Sequence, residues 1–376
     1  MDRGLQVDTI YTDLKAAFDR VNHRILLAKL DRLGVASNLV SWFESYLTNR
    51  RLCVKLGSTE SDEFLSSSGV PQGSNLGPLL FTTFFNDVCL ALPPNCKLAY
   101  ADDLKVYYLV KTHDDCLILQ NIANKFFEWC RRNFMVVSVA KCSVVSFSRK
   151  KNPIMFSYRM GEECIERAKV VKDLGVMLDS ELSFREHYSY IINKAMRNLG
   201  FIFRVSAEFW DPYCLRSLYF SLVRSVLETA AIAWSPFHNV WIFRIEKIQA
   251  KLIKYALRFL PWRNRDELPP YESRCRLLGM DTLVKRRDIQ KTTFIGKVML
   301  GEIDAPWILA KINLNVVPRP LRQWNFLRLQ QHRTEYAQNE PIRSMSVLFN
   351  RHYCLFDFNV SSSIFRERVT NFYVNS

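Results

Sequence analysis

Lys97-Leu98-Ala99-Tyr100-Ala101-Asp102-Asp103-Leu104-Lys105-Val106-Tyr107-Tyr108-Leu109 reads as two short apolar strands joined at an acidic tip. β-favouring residues fill both arms, and adjacent carboxylates are tolerated at a turn, where water reaches them. A second strand-like stretch, Val7-Asp8-Thr9-Ile10-Tyr11-Thr12-Asp13-Leu14, also ends at a carboxylate. If these strands are neighbours in one sheet, Asp13, Asp102 and Asp103 converge, and such crowding is tolerable only around bound cations. Each piece also has an ordinary reading, as a cap for the following helix or as a plain Asp-Asp turn.

Working outward, Leu26, Leu27, Leu30 and Leu33 recur at helical spacing from His23 to Gly34. Ser37 is expected to cap a second amphipathic helix carrying Leu39, Val40, Trp42, Phe43, Tyr46 and Leu47, with a short strand near Leu52 to Leu56 after it. A polar loop around Ser66 to Gly69 leads to Val70-Pro71-Gln72-Gly73, and Pro78 opens a helix through Leu80, Phe81, Phe84 and Phe85. A helix from about Asp114 to Cys130 follows, then strands near Met135 to Val139 and Val144 to Phe147. Past Phe184 the apolar positions Ile191, Ile192, Ala195, Leu199 and Ile202, and later Ile245, Ile248, Leu252 and Ile253, keep helical spacing. The chain therefore reads as α+β in its first half and mainly α-helical in its second. Lys247, Lys251, Lys254 and Arg258 form a basic stripe that suits a phosphate backbone or a solvated helix face.

Fifty-two Lys and Arg against 37 Asp and Glu, a net charge of +15, point to a polyanionic partner, and the 48% hydrophobic content excludes a disordered chain. The ten cysteines contain no C-x-x-C pair, which argues against a zinc knuckle or a disulfide scaffold and predicts buried free thiols in a reducing compartment. Met1 to Gly4 lacks an apolar signal segment, and Leu215 to Trp234 is interrupted by Arg216, Arg224 and Glu228, so an intracellular location (nucleus or cytoplasm, not secreted) with no membrane partner is expected.

Three strings in order carry a resemblance. Tyr11-Thr12-Asp13-Leu14-Lys15-Ala16-Ala17-Phe18-Asp19-Arg20-Val21-Asn22-His23 resembles the first catalytic motif of LINE-type (non-LTR, jockey-like) retrotransposon reverse transcriptases. Ser68-Gly69-Val70-Pro71-Gln72-Gly73-Ser74-Asn75-Leu76-Gly77-Pro78-Leu79-Leu80-Phe81, continuing to Asn86-Asp87, is similar to their nucleotide- and template-contacting motif, and Tyr100-Ala101-Asp102-Asp103 to their acidic hairpin. The resemblance implies a reverse-transcriptase palm, an antiparallel sheet with packed helices, followed by a helical thumb. It implies an RNA-directed DNA polymerase that adds dNTPs to the 3′-hydroxyl of a DNA primer or target DNA on an RNA template. Such transfer uses two Mg2+ ions about 3.5 to 4 Å apart, and hard cations of this kind take carboxylate ligands.

Carried over by residue, the resemblance makes Asp13 and Asp102 the principal metal ligands and Asp103 a third. Leu14 lends its backbone carbonyl, and Phe18 lies beneath the sugar, where it excludes a 2′-hydroxyl. Gln72 and Gly73 pack against the incoming nucleotide, Tyr100 contacts the primer end, and Lys141 is a candidate general acid for the leaving pyrophosphate or a plain surface lysine. Val170 to Asp179 with Phe184 and His187 resembles the primer-gripping turn and the start of the thumb, while Leu218 to Trp234 and Leu268 to Arg274 resemble the helical region that follows the polymerase in jockey-like elements. The expected division is a palm over 1–180, a helical thumb over 181–265 and a basic, mainly helical region over 266–376. Family members carry a fingers region before the first motif; only twelve residues precede Asp13 here, so an N-terminally truncated polymerase is expected. A non-catalytic nucleic-acid-binding fragment and an inert remnant of a decayed element are the other readings.

Overall fold

A computed structural model describes residues 4–208, 211–259, 269–315 and 325–375. The described residues divide into two compact units, one made of 4–171 with 179–182 and the other of 172–178 with those described from 183 on. The expected boundary at 265–266, and Leu268, lie outside the described residues.

The first unit is built on a five-stranded sheet. Its strands are β1 (Gln6–Thr12), β4 (Lys97–Tyr100), β5 (Asp103–Val110), β6 (Ser143–Ser148) and β7 (Glu166–Arg167), in the order β7-β6-β1-β5-β4. Between β1 and β4 the chain forms α1 (His23–Arg32), α2 (Ser37–Leu47), the paired strands β2 (Arg50–Leu52) and β3 (Phe64–Ser66), and α3 (Gly77–Phe85). All pairings in the large sheet are antiparallel except β6 with β7. β1 is central, with Ile10 paired to Val106 of β5 and to Val144 of β6, and all three are buried. Helix α4 (His113–Arg132) buries Cys116, Leu119, Ile122, Ala123, Phe126 and Cys130, a three-and-four spacing that turns one stripe to the core. The Asp115 carboxylate caps it, accepting the backbone N–H of Lys111 and Thr112 at 2.8 Å each; these donors hold it below the usual carboxylate range.

The sheet buries one carboxylate outright. Asp8 is 0% exposed, yet it accepts hydrogen bonds from Gln6 Nε2 (2.8 Å), Ser146 Oγ (2.6 Å) and Tyr158 Oη (2.8 Å), so its desolvation is offset.

Three local expectations are corrected. Met135 to Val139 is not a strand: Val137 makes a single bridge to Leu14, and Val139 to Lys141 forms a 3-10 turn. Ala36, not Ser37, is the N-cap of α2, and no side chain caps that end. Cys53, Cys164 and Cys354 are exposed thiols rather than buried ones, whereas Cys96, Cys116, Cys130, Cys142 and Cys275 are buried and free.

The described part of the second unit is mainly helical, with α5 (Arg185–Val205), α6 (Asn239–Ala256), α7 (Tyr271–Leu277), α8 (Leu283–Met299), α9 (Pro341–His352) and α10 (Ser362–Asn375). One core joins Ile191, Ala195, Leu199, Tyr219, Trp234, Ile245 and Leu252; a second, smaller one gathers Ile289, Ile295, Phe349, Phe365 and Val369. Leu215 to Trp234 is broken into short helical pieces, and among the described residues no helix is long and apolar enough to cross a membrane.

Candidate active site

Alternation along β1 sends Gln6, Asp8, Ile10 and Thr12 to one face, and Val7, Thr9, Tyr11 and then Asp13 to the other. The β1–β5 register ends at Thr12 opposite Leu104, a pairing reinforced by the Thr12 hydroxyl, which donates to the Leu104 carbonyl at 2.8 Å. One step further the same register brings Asp13 alongside Asp103, and neighbouring strands are only about 4.8 Å apart. Tyr100 pairs with Asp103, so Ala101 and Asp102 form the tip, with Ala101 in the left-handed region at φ 51°. A side chain bearing a Cβ is strained there, and such strain persists only where surrounding pairing enforces it.

Asp13 is fixed from its other side as well. Its carbonyl accepts the Ser138 N–H at 2.8 Å, and the Lys15 N–H donates to Val136 O at 2.8 Å, so the 136–138 segment is laced to the end of β1. The turn that follows carries Lys141, whose Nζ lies 3.7 Å from Asp13 Oδ2. At that length the contact is an ion pair without a hydrogen bond. Asp13 Oδ2 is itself buried and, among the described residues, accepts no hydrogen bond. Behind it the Cys142 thiol is raised above its ordinary pKa, chiefly by burial.

Among the described residues no three His, Cys, Asp or Glu side chains lie close enough together to hold one ion. Asp13 and Asp103 each lie one residue beyond the Thr12–Leu104 pair that ends the register, with Asp102 on the turn. A buried carboxylate oxygen that accepts no hydrogen bond, with like charge one strand away, nevertheless suits a hard cation better than it suits an ordinary cap.

The remaining predicted residues fall on two supports. Leu14 is buried beside Val137. Phe18 is half-buried and stacks on Phe81 of α3, ring centroids 4.2 Å apart, while its carbonyl accepts the Val70 N–H at 2.9 Å. Gln72 is exposed and donates through Nε2 to Asp19 Oδ1 at 2.7 Å. Gly73 has φ +78° and open space where a Cβ would stand. Gly69 is tighter: a Cβ there would come within 2.7 Å of the Asp19 backbone, so only glycine lets the loop sit on the first motif. Buried His23 adds a hydrogen bond from Nε2 to the Gly69 carbonyl at 2.7 Å. Tyr100 is exposed. Asp87, the end of the second string, accepts from Lys29 Nζ and Trp129 Nε1, each at 3.0 Å, and so ties α1 and α4 to the end of α3.

Sequence reasoning missed Asp19, the partner of Gln72, and Lys105, which pairs with Tyr11 and is only 8% exposed. Lys105 lies two residues beyond Asp103, so strand alternation turns both to one face, and counting by twos from the acidic tip would have found it.

The chain matches the family model described as reverse transcriptase (RNA-dependent DNA polymerase) over residues 9–203. It is 33% identical over 189 residues to the probable RNA-directed DNA polymerase from transposon X-element of Drosophila melanogaster, a match covering 49% of this chain and 21% of that protein. It is 31% identical to the corresponding protein from transposon BS of Drosophila melanogaster, covering 48% and 21%, and 30% identical to the RNA-directed DNA polymerase from mobile element jockey of Drosophila funebris, covering 47% and 20%. The matched region is thus about a fifth of the length of these curated relatives. The chain belongs to the reverse transcriptase (RNA-dependent DNA polymerase) family, in company with the polymerases of jockey-type, non-LTR retrotransposons.

Proposed function

We propose that this chain is the palm and adjoining helical part of an RNA-directed DNA polymerase of a non-LTR retrotransposon, which joins dNTPs to the 3′-hydroxyl of a DNA primer or target DNA on an RNA template. The observation that supports the reading is the β1–β5 register, which ends at Thr12 opposite Leu104, one residue short of both Asp13 and Asp103, while a buried Asp13 oxygen accepts no hydrogen bond. Asp13, Asp102 and Asp103 would hold two Mg2+ ions, which supply Lewis acidity for the attacking hydroxyl and countercharge for the departing pyrophosphate.

The chain's own groups divide the remaining work. Lys141 offsets the charge of Asp13 and is within reach of the same space to give a proton to the pyrophosphate. Lys105 lies on the strand face of Asp103, paired with Tyr11. Phe18, braced by Phe81, presents a ring edge that a 2′-hydroxyl would meet. Gln72, oriented by Asp19, and Gly73, with no Cβ, leave room for a nucleotide to approach the backbone. Tyr100 meets the primer end.

The test is magnesium-dependent extension of a DNA primer on an RNA template. The chain should extend it, and Asp102→Asn should lower the rate about a thousandfold, since a ligand to the reacting metals supplies several kcal/mol. Equal extension by parent and variant would remove Asp102 from the chemistry. One observation favours a second reading, a binder without polymerisation: Lys247, Lys251 and Lys254 on α6, and Arg258 just beyond it, are all exposed. In that case the chain would hold nucleic acid with steep salt dependence, ignore magnesium and extend nothing.

A further inference from the structure

Beside the start of α9 the second unit holds a recess of about 190 Å³, whose lining includes Lys311, Arg328, His332, Glu340, Arg343 and Ser346. It lies outside residues 9–203, the span that matches the family model, and uses no residue of the three motif strings. Its walls are fixed by specific bonds. Leu314 and Leu327 form a bridge, and the Arg328 N–H donates to the Asn313 carbonyl at 2.8 Å. Asn350 of α9 accepts the Leu327 N–H at 2.7 Å and donates to the Leu327 carbonyl at 2.8 Å. Arg343 is held too, with Nε donating to the Gln330 carbonyl at 3.0 Å and Nη1 to the Gln338 carbonyl at 2.6 Å. A guanidinium already ordered in this way loses little freedom when a ligand arrives.

The charges in the recess do not balance. Lys311, Arg328 and Arg343 bring three positive charges against the one carboxylate of Glu340, a surplus of two. Among the described residues the side chains of Lys311 and Arg328 make no ion pair and no hydrogen bond, although Lys311 Nζ stands 5.9 Å over the Trp307 ring. Cations gathered around one space repel one another unless an anion joins them. Guanidinium groups present parallel N–H donors that fit the oxygens of a phosphate. A phosphate monoester carries about −1.5 to −2 at neutral pH, which matches the surplus, whereas a phosphodiester carries a single charge. The volume excludes a whole nucleotide, because sites for entire small ligands run to about 300–1,000 Å³.

We propose that this recess binds one phosphate monoester dianion, held by Lys311, Arg328 and Arg343 and opposed by Glu340. The site goes beyond the polymerase reading and does not depend on it.

The experiment titrates inorganic phosphate into the full chain by calorimetry, at neutral pH in a magnesium-free chloride buffer. Saturable binding with a Kd of about 1 mM or tighter is expected. Arg328→Gln and Lys311→Gln should each weaken it about tenfold, and Glu340→Gln should tighten it about threefold, since that change removes the opposing charge. Arg366→Gln, at an exposed position of α10 that does not line the recess, should leave it unchanged. Circular dichroism checks that every variant keeps the fold. Uptake that does not saturate, an equal loss from Arg366→Gln, or a Glu340→Gln variant that binds no better would overturn the site. A short phosphoserine peptide and its serine counterpart separate the sources of the phosphate. Tighter binding of the phosphopeptide than of inorganic phosphate would assign the recess to a modified protein side chain, and equal binding would assign it to the free anion, each as a monoester. Equal binding of the serine peptide and the phosphopeptide would overturn it. So would displacement of phosphate by a single-stranded oligonucleotide without terminal phosphates, which would give the recess to a nucleic-acid backbone. None of these readouts uses primer extension, so the site stands or falls apart from the polymerase reading.

Discussion

Two carboxylates, Asp13 in the first unit and Glu246 in the second, are partnered in opposite ways. At the end of β1 in the first unit, Asp13 keeps a buried oxygen that accepts no hydrogen bond, and Lys141 stands 3.7 Å away, too far to supply one. In the second unit Glu246 and Glu228, both partly buried, are well partnered. Glu246 accepts from Tyr271 Oη at 2.6 Å and from the Val284 N–H at 2.7 Å, with Arg287 Nη2 at 3.9 Å. Fully buried Gln249 accepts from Tyr219 Oη at 3.0 Å and donates to Tyr271 Oη and the Asp281 carbonyl, each at 2.9 Å. Glu228 grips Arg286 through both carboxylate oxygens. Saturated polar groups hold helices in one arrangement, whereas a group short of partners is available to something from outside.

The strongest way to break this contrast is through Asp102. Asp102→Asn should cost about a thousandfold in extension, roughly 4 kcal/mol, and leave the unfolding midpoint almost unchanged, because a turn tip contributes little to stability. A variant that unfolded early would place Asp102 among the structural charges instead.

Glu246→Gln should do the reverse. It leaves Arg287, only 3% exposed, without its countercharge, and breaking such a pair costs about 3 kcal/mol. Urea unfolding of the full chain measures this, and a loss under about 1 kcal/mol would show that the network does not organise the helices.

A pH scan sharpens the comparison next. Burial lowers His187 from 6.5 to about 4. It stands against Trp234, its Nδ1 accepts the Met177 N–H at 3.3 Å, and its Nε2 is buried without a hydrogen bond. The unfolded chain therefore binds the proton first, so stability should fall as pH drops from 6.5 towards 4, by about 2 kcal/mol from this residue. His187→Phe should flatten that part of the profile, and an unchanged slope would show that His187 does not contribute to it.

Lys141→Ala is the mildest. Its side chain is 73% exposed, so removing it should alter stability by less than about 0.5 kcal/mol. Extension should still fall about tenfold if its proton is used, and an unaffected rate would leave Lys141 as a surface lysine.

How far the sequence could be read depended on the range of the contacts. Helix α4 was legible because Leu119, Ile122, Ala123 and Phe126 repeat at helical spacing, and that stripe is buried. Met135 to Val139 has a similarly apolar texture, yet only Val137 bridges to Leu14, through the Lys15–Val136 and Ser138–Asp13 hydrogen bonds, and the chain then turns at Val139 to Lys141. Ser37 is a good capping residue type, but the chain starts its helix one residue earlier, from Ala36. Lys105 shares the face of Asp103 by strand alternation alone, but its pairing with Tyr11 is set only by the joining of β5 to β1.

Sequence alone determined the chemistry available: three carboxylates in two motifs, a glycine-bearing loop, an amphipathic second half and a family. Local spacing carries such information because helix and strand periods are set by the few residues on either side. The tertiary structure decided which of these groups meet. Thr12 and Leu104 are 92 positions apart, and their pairing follows from burying β1 between β5 and β6, an arrangement that has to repay the entropy of closing that loop. The same long-range packing put Asp19 under Gln72, 53 positions away, and no spacing along the chain encodes that meeting.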